Sequence, residues 1–314
     1  MSAGMPRWLI NLMSTDPYIS MVSFITNSVH LTILLQKSMR TSSTNVIMIG
    51  IAICNLYISF HSVWKFVRNK ILYSPWVPDS YMTVVLSWTA NSFQDDFNRC
   101  SAFLGASMAV IRVIVLRNPT GNASKNSLIS LCYHLRSTVG FISDWTPRAL
   151  ACQGLFSENY TRPVYGQIAS DLSSWQSSLL SKIYLVVDGV LSKIIPAIIF
   201  PVFTFILIRQ LHKFATNRER MFSGKNQQQS NMTTRLVICM AISYMISVLP
   251  LGVLYVHQAL CQNNICSSEA FNMMLVTIVI SSATTITHFP ICFAISTQYR
   301  NTVKNFLGIK AKIE

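Results

Sequence analysis

Long apolar runs alternate with short polar segments along most of this chain. A transmembrane α-helix needs about 20 mainly apolar residues, and six runs meet this requirement clearly. A seventh run, 127–145, is weaker because it contains His134, Arg136 and Asp144. The pattern predicts an all-α membrane protein, a seven-transmembrane helix bundle with a weak fourth helix. The clear spans are 17–36, 44–66, 84–116, 183–211, 233–257 and 271–293.

Two segments outside these spans have patterns of their own. Within 296–310, Tyr299, Val303, Phe306 and Leu307 recur at helical spacing, which predicts a short amphipathic helix lying on the membrane surface. The segment between the fifth and sixth spans, 209–235, is polar, basic and rich in glutamine. It predicts a flexible loop.

Charge placement sets the expected orientation. Only 11% of the 314 residues are charged, and the net charge is +14. The basic residues concentrate in alternate loops, as in the positive-inside pattern of membrane proteins, so a nucleic-acid partner is not expected and the bilayer is. Lys65, Arg68 and Lys70 are the exception. The basic loops carry Lys37 and Arg40; Arg117 and Lys125; Arg209, Lys213, Arg218, Arg220, Lys225 and Arg235; and Arg300, Lys304, Lys310 and Lys312.

This charge pattern favours seven spans, because with six the loop charges after residue 150 would be inverted. We therefore expect a multi-pass plasma-membrane protein with a short extracellular N-terminus, 1–16. The transmembrane domain is expected at 17–293. A juxtamembrane helix and a short cytosolic tail, 294–314, are expected to follow it.

Among the polar residues inside the predicted spans, three amide or imidazole side chains are considered together: Asn27 in the first span, Asn55 in the second and His288 near the end of the last. Polar groups are costly in a membrane unless they face other helices, a partner or water. One interpretation is hydrogen bonding between helices, worth about 0.6–2 kcal/mol each. The other is a single polar core that rearranges during a conformational switch.

The third span carries charges at two depths. Asp95, Asp96 and Arg99 lie in its first half, and Arg112 lies near its other end, roughly 25 Å further along the helix axis. The first three can pair within the helix, because they are three and four residues apart. Arg112 can snorkel to the membrane interface. A functional role for each is the alternative.

Prolines and cysteines mark the later spans. A proline kinks a helix and leaves carbonyls without partners, which membrane helices tolerate where neighbours satisfy the backbone. Cys261 and Cys266 lie in the last loop before the seventh span, where they either form a small disulfide or remain free thiols. The prolines expected to kink helices are Pro196, Pro201, Pro250 and Pro290.

Several phrases resemble the rhodopsin-like G protein-coupled receptors, and more closely the nematode serpentine chemoreceptors of class w, relatives of FMRFamide-type neuropeptide receptors. The resemblance implies a seven-helix bundle with an outward-facing ligand pocket. It also implies an inner surface that activates a heterotrimeric G protein. The phrases are SVHLTILLQKSMRTSSTNVIMIGIAICNL, DDFNRCSAFLGASMAVIRVIVLRNP, SKIIPAIIFPVFTFILIRQL, SVLPLGV and THFPICFAISTQYR.

The resemblance also assigns roles to single residues. Asn27 matches the family's first-helix asparagine, and Asn55 stands where rhodopsin-like receptors usually have an aspartate. Arg112 matches the arginine of the DRY motif, which implies a role in G protein coupling. Pro250 matches the sixth-helix proline, and Trp76 resembles the tryptophan of the first outer loop.

The chain also departs from the family pattern. Ile111 replaces the acidic residue before Arg112, so the usual local restraint on that arginine is missing. Asn55 lacks the charge that would hold a sodium ion. His288-Phe289-Pro290-Ile291-Cys292 replaces the NPxxY motif. Ser87 stands where the third-helix cysteine is usual, so the common disulfide to the second outer loop cannot form there.

The ligand cannot be read from the sequence. A neuropeptide is implied by the nearest relatives, and a small odorant by the chemoreceptor grouping. Because two carboxylates and one guanidinium cannot all neutralise each other, we expect the unpaired acid among Asp95 and Asp96 to bind a cationic group of the ligand. Arg99 is expected in the same site. Asn159, in the sequon NYT, is the expected glycosylation site in this topology.

Other classes of protein fit less well. A channel or transporter would need a polar stripe on several helices or two broken helices in matching halves, and neither is visible. The histidines form no HExxH, and no Ser/His/Asp or Cys/His set lies on one side of the predicted bundle. We therefore expect no enzyme activity, no catalytic residues, no metal and no cofactor.

Overall fold

The computed structural model describes residues 6–40, 43–72, 78–117, 137–145, 161–169, 179–218, 225–261 and 264–308. Nearly all of these residues are helical. Thr287 separates two of the helices. The elements are α1 (Arg7–Leu34), α2 (Ser43–Val67) continued by a π-helical turn (Arg68–Leu72), α3 (Tyr81–Arg117), β1 (Ser137–Trp145), β2 (Arg162–Ala169), α4 (Leu179–Val187) continued by a π-helix (Asp188–Ile194) into α5 (Ile195–Arg218), α6 (Lys225–Leu260), α7 (Asn264–Ile286), α8 (His288–Ile295) and α9 (Thr297–Phe306).

The long helices close into a ring. α1 packs on α2, α2 on α3, α3 on α5, α5 on α6 and α6 on α7, and α7 returns to α1. Six of the predicted spans therefore lie within helices of this ring, and several of the helices extend beyond the predicted bounds. α1 begins at Arg7, inside the segment expected as the N-terminus.

Four helical stretches among the described residues are long and apolar enough to cross a membrane. α1 and α3 are not among them. α3 carries Asp95, Asp96 and Arg99 at its centre, which lowers its hydropathy. The qualifying stretches are Thr44–Lys70, Ser181–Ile206, Ile238–Leu260 and Ile265–Ile295.

The placement of the weak fourth helix at 127–145 is wrong in its second half. Residues Ser137–Trp145 form strand β1, which pairs antiparallel with β2, and 127–136 lie outside the described residues. The segment is rich in β-branched and aromatic residues, which favour strands. A short apolar run does not distinguish a helix from a strand until a pairing partner is known.

The β-hairpin lies against the beginning of α3, where the rings of Tyr81 and Tyr165 are 5.1 Å apart between centroids. We call this end of the ring the hairpin end. The opposite end, where α9 packs against α1, is called the α9 end.

The predicted loop at 209–235 is also largely wrong. α5 continues to Arg218 and α6 begins at Lys225, which leaves only 219–224 outside the described residues. Lys, Arg and Gln are good helix formers, so a polar segment at the ends of two membrane helices extends them without an apolar face.

The prolines affect their helices differently. Pro290 has no N–H to donate to the carbonyl of Ile286, and its ring crowds that carbonyl. α7 ends at Ile286, in agreement with this rule. Pro196 lies where the π-helix changes to α5, whereas Pro201 and Pro250 lie inside continuous helices.

The largest apolar core cluster lies at the α9 end. Tyr299 and Val303 of α9 are buried there against Ile33 and Leu34 of α1, together with residues of α2, α3, α5 and α6. The amphipathic helix is present as predicted, but half of its apolar face packs into the bundle. Phe306 and Leu307 stay exposed and are the part of this face that can contact a membrane surface.

Candidate ligand-binding site and polar core

Arg99 is the centre of an ionic cluster between α3 and the helix opposite. Its Nε donates to Asp188 Oδ1 at 2.8 Å, and one terminal nitrogen donates to Asp96 Oδ1 at 2.9 Å. The other donates to the Tyr184 hydroxyl at 2.6 Å. Arg99 and Asp188 are both buried. The arginine therefore connects α3 to the α4–π-helix segment by charge-assisted hydrogen bonds, the strong kind.

Lys193 completes the cluster on the other side of Asp188. Its Nζ lies 2.8 Å from Asp188 Oδ2 and 4.4 Å from the centre of the Tyr255 ring on α6. Asp188 thus has a cation on each oxygen. The cluster links α3, the π-helix and α6.

The π-helix explains why Asp188 and Lys193 meet. Residues five apart face each other in a π-helix, whereas in an α-helix the spacing is three or four. A close backbone approach supports this geometry. A Cβ on Gly189 would lie 2.9 Å from the Gly252 carbonyl oxygen, and a Cβ on Gly252 would lie 2.9 Å from Lys193 Cβ. Two glycines therefore allow α6 to pack directly on the π-helix.

Asp95 is the acid that remains without an ion pair within 4.0 Å among the described residues. Three carboxylates, Asp95, Asp96 and Asp188, meet two cations, Arg99 and Lys193. Counted over these five groups, the carboxylates outnumber the cations by one. From the sequence, either acid on α3 was expected to pair with Arg99. The structure pairs Asp96.

The partners of Arg99 on the α4–π-helix segment were not predicted from the sequence. Asp188, Lys193 and Tyr184 lie within the fifth predicted span, and their interactions with α3 were not predicted. The signal was present, because an aspartate and a lysine inside an otherwise apolar run need partners in a membrane.

Asn27 belongs to a chain of hydrogen bonds that ties three helices together. Ser59 of α2 donates to Ser23 of α1 at 2.8 Å, and the Ser23 and Thr285 hydroxyls are 2.6 Å apart. Asn27 Nδ2 donates to the carbonyls of Ser23 and Thr285 at 2.9 and 3.2 Å. This geometry matches the interpretation of Asn27 as interhelical hydrogen bonding.

Asn55 and His288 line one cavity of about 70 Å³ in the middle of the bundle, with Thr285 at its edge. Its other lining residues include Ser101, Ser243, Ser247, Ser281 and Thr284. Asn55 Nδ2 and the hydroxyl of Tyr244, another lining residue, are buried and have no hydrogen-bond partner among the described residues. The lining is mixed, since Met108, Phe200 and Met240 also contribute to it, and the cavity is large enough for a few water molecules bound by the polar groups.

The α9 end has a polar contact that the sequence did not predict. His30 of α1 is buried, and its Nδ1 lies 2.8 Å from the Tyr299 hydroxyl. Burial raises the pKa of Tyr299, so the phenol keeps its proton, and the tautomer of His30 decides which of the two groups donates. Arg112 lies in α3 toward this end, and its side chain lies outside the described part of the structure.

The cysteine pair of the last loop lies at the hairpin end, and the expected glycosylation site lies outside the described residues. Cys261 and Cys266 are joined by a disulfide between α6 and α7, and His257 Nε2 lies 3.8 Å from Cys266 Sγ. These three side chains are close enough to hold a metal ion in the reduced form. In this structure the sulfurs of Cys261 and Cys266 are joined in a disulfide, so neither is the thiolate that a metal ion would need. Asn159 lies outside the described residues.

A closed ring of long helices around a buried ionic cluster and a polar cavity defines a multi-pass helical membrane protein. The family model described as serpentine type seven-transmembrane GPCR chemoreceptor Srw matches residues 14–128 and 123–310. The chain belongs to this family. Membership confirms the seven-transmembrane helix bundle and the resemblance stated above. It also confirms the expectation that the chain is not an enzyme, because this is a family of receptors.

The chain is also similar to the G-protein coupled receptor dmsr-1 of Caenorhabditis elegans. The two sequences are 22% identical over 241 residues, which cover 69% of this chain and 46% of the relative. The chain thus spans about half the length of the curated relative that it matches.

Proposed function

We propose that the chain is a plasma-membrane receptor that binds an extracellular ligand, a neuropeptide, at the hairpin end and activates a heterotrimeric G protein at the α9 end. Family membership supports the receptor class. The observation that carries the ligand site is the Asp95 carboxyl group, which lies next to the ion pairs of Arg99 and Lys193 and has no ion pair of its own within the described residues.

The proposed orientation rests on the basic residues. Lys37, Arg40, Arg209, Arg300 and Lys304 lie at or near the α9 end, which the positive-inside rule places in the cytosol. The hairpin, the 261–266 disulfide and Asn159 are then extracellular. An epitope on the tail should be accessible to antibody only in permeabilised cells. Glycan should be lost on Asn159→Gln, and a glycan that survives this change would contradict the topology.

The charge of the site favours a cationic ligand. A basic peptide or an amine can place its guanidinium or ammonium at Asp95. Inside the helix bundle such a charge pair is shielded from water and therefore strong. A neutral odorant would leave that charge unpaired. A small odorant remains the second candidate, because the family description names chemoreceptors.

The first test is nucleotide exchange on a purified G protein by the purified chain. The probes are a panel of synthetic basic neuropeptides, each paired with a copy in which citrulline replaces arginine. We expect the arginine peptides to stimulate exchange. Arg112→Ala should abolish the stimulation and leave peptide binding unchanged, because Arg112 lies in the half of α3 far from Asp95. Lower surface expression with normal signalling per receptor would instead favour a snorkelling arginine.

The second test compares the contributions of Asp95 and Asp96 to ligand binding. Asp95→Asn should weaken binding of the active peptide by about 2–5 kcal/mol, whereas Asp96→Asn should act mainly through Arg99 and the stability of the bundle. Glu269→Gln is the matched control, because Glu269 is an exposed acid at the same end. Surface expression is measured separately from binding. Normal binding by well-expressed Asp95→Asn and Asp96→Asn variants would show that the cluster is structural and that the ligand binds elsewhere.

A further inference from the structure

Three basic residues at the end of α2 depart from the positive-inside pattern. Lys65, Arg68 and Lys70 lie at the hairpin end, whereas most other basic residues outside the membrane lie toward the α9 end. Charged side chains near a membrane are retained where they have partners or bind something. The contacts of Lys65 and Arg68 therefore indicate which of the two applies.

Lys65 faces α3 and has a neutral partner. Its Nζ donates to Asn91 Oδ1 at 3.2 Å, and among the described residues no carboxylate lies within 4.0 Å of it. Asp95 and Asp16 are within electrostatic range of Lys65 but make no direct contact with it. Within the described parts of the chain two of its three donor hydrogens have no partner, because an ammonium carries three.

Arg68 is one helical turn further along the same face. Its guanidinium donates to the Ser87 hydroxyl and, at 3.4 Å, to the amide oxygen of Asn69. The Asp79 carboxylate is 4.0 Å away, the one ion pair of Arg68 among the described residues, and both side chains are partly exposed. Such a pair contributes little. The charge of Arg68 is therefore only weakly neutralised.

The two cations share one seam. Lys65 of α2 and Arg68 of its π-helical turn are three residues apart, and their partners Asn91 and Ser87 are four residues apart on α3. Both contacts therefore lie along the line where the two helices meet. Two neighbouring cations with hydroxyl and amide groups behind them make a set of donors for an oxyanion. Asp95 lies one turn beyond Asn91 on α3.

We propose that this seam, Lys65 and Arg68 with Asn91 and Ser87, is an oxyanion subsite of the ligand pocket. It takes a carboxylate or phosphate group of a ligand whose cationic group binds at Asp95, so the ligand carries charges of both signs. This inference rests on the proposed function, because the pocket is the one assigned there. It adds a chemical class: a dipolar ligand such as a peptide with an acidic group near a basic one.

The phosphate of a phospholipid headgroup has the same chemistry as a ligand's oxyanion. The seam favours a soluble ligand, since the exposed Lys65 donates across to α3 and lies within electrostatic range of acids on both neighbouring helices, α1 and α3.

The test is thermal unfolding of the purified full-length chain in detergent without phospholipid, with sodium sulfate as the probe. Sodium chloride at equal ionic strength is the reference. The variants are Lys65→Gln, Arg68→Gln and the double variant, and Lys182→Gln is the matched control because Lys182 is an exposed cation on α4 at the same end.

We expect sulfate to stabilise the wild type beyond the chloride reference. The sulfate concentration for the half-maximal shift should rise about tenfold in each single variant, as for the loss of one charge-assisted hydrogen bond. The shift should vanish in the double variant and stay unchanged in Lys182→Gln. An absent shift in the wild type, or an equal shift in the double variant, overturns the subsite.

Two further measurements test the alternatives, a structural role for Lys65 and a phospholipid headgroup as the bound group. Without sulfate, Lys65→Gln should unfold no earlier than the wild type, and a marked loss of stability would show that Lys65 serves a structural pair with Asp95. Micelles containing phosphatidylglycerol should not replace sulfate, and a lipid shift lost in the same variants would assign the seam to a headgroup. These measurements contain no G protein, so a negative result would contradict the oxyanion subsite but not the proposed receptor function. A negative result in the nucleotide-exchange assay would likewise not affect the test of the subsite.

Discussion

Two polar regions lie inside the helix bundle, and they are built in opposite ways. In the ionic cluster, each side-chain nitrogen of Arg99 and each carboxylate oxygen of Asp188 has a hydrogen-bond partner. In the polar core, neutral groups line a cavity. Asn55 and Tyr244 there each keep a buried polar atom without a partner among the described residues.

The difference follows from the cost of burial. An unpaired buried charge costs several kcal/mol, so charges in the bundle must be paired wherever they do not serve a ligand. An unpaired neutral amide or hydroxyl costs about 1–3 kcal/mol and can be satisfied by water. The ionic cluster is therefore suited to fixing α3 against the π-helix and α6. The polar core keeps two buried polar atoms without partners among the described residues, and we propose that they form hydrogen bonds in a second arrangement of the helices.

The largest effect is expected from breaking the ionic cluster. Arg99→Gln or Asp188→Asn should lower the free energy of unfolding by about 3–5 kcal/mol, because each leaves a buried charge uncompensated. The double variant should lose less than the sum of the two single losses. Thermal unfolding in detergent measures this, with Lys182→Gln as the control. Single losses below about 1 kcal/mol would show that the cluster is not the fixed region described here.

A smaller loss is expected from the glycine contact that supports the cluster. Gly189→Ala would place a Cβ 2.9 Å from a backbone oxygen of α6, so α6 and the π-helix must separate. We expect a loss of about 1–3 kcal/mol in the free energy of unfolding.

Gly105→Ala is the matched control for this change. It has the same gain in helix propensity, but its Cβ would meet Phe200 at an ordinary 3.6 Å. Equal stabilities of the two variants would contradict the close contact between α6 and the π-helix.

The smallest effects are expected in the polar core, where they should differ between two asparagines. Asn27→Ala removes hydrogen bonds to α1 and α7 and should cost about 0.6–2 kcal/mol. Asn55→Ala removes an amide whose Nδ2 has no partner, so the free energy of unfolding should stay within about 0.5 kcal/mol. The same unfolding measurement compares them, and a larger loss at Asn55 would show that its amide is satisfied in the resting state.

Local sequence patterns predicted the membrane helices and the positions of the polar residues well. Apolar runs of membrane length depend on composition alone, and six of them are helices in the structure. The charges of α3 were predicted to pair because their spacing is local. The pairing of Arg99 with Asp188 was not predicted, because these residues are far apart in the sequence and their contact depends on how two helices face each other.

The amino-acid sequence by itself determined that this is a multi-pass helical membrane protein with charges and amides inside its spans, because burial in lipid imposes length and hydropathy on each helix separately. Tertiary structure decided what those polar groups do. It made 137–145 a strand by supplying β2 as a partner, and it left Asp95 without an ion pair in the described chain by giving Arg99 to Asp96 and Asp188. Strand pairing and ion pairing both join residues distant in sequence, so no local pattern contains them.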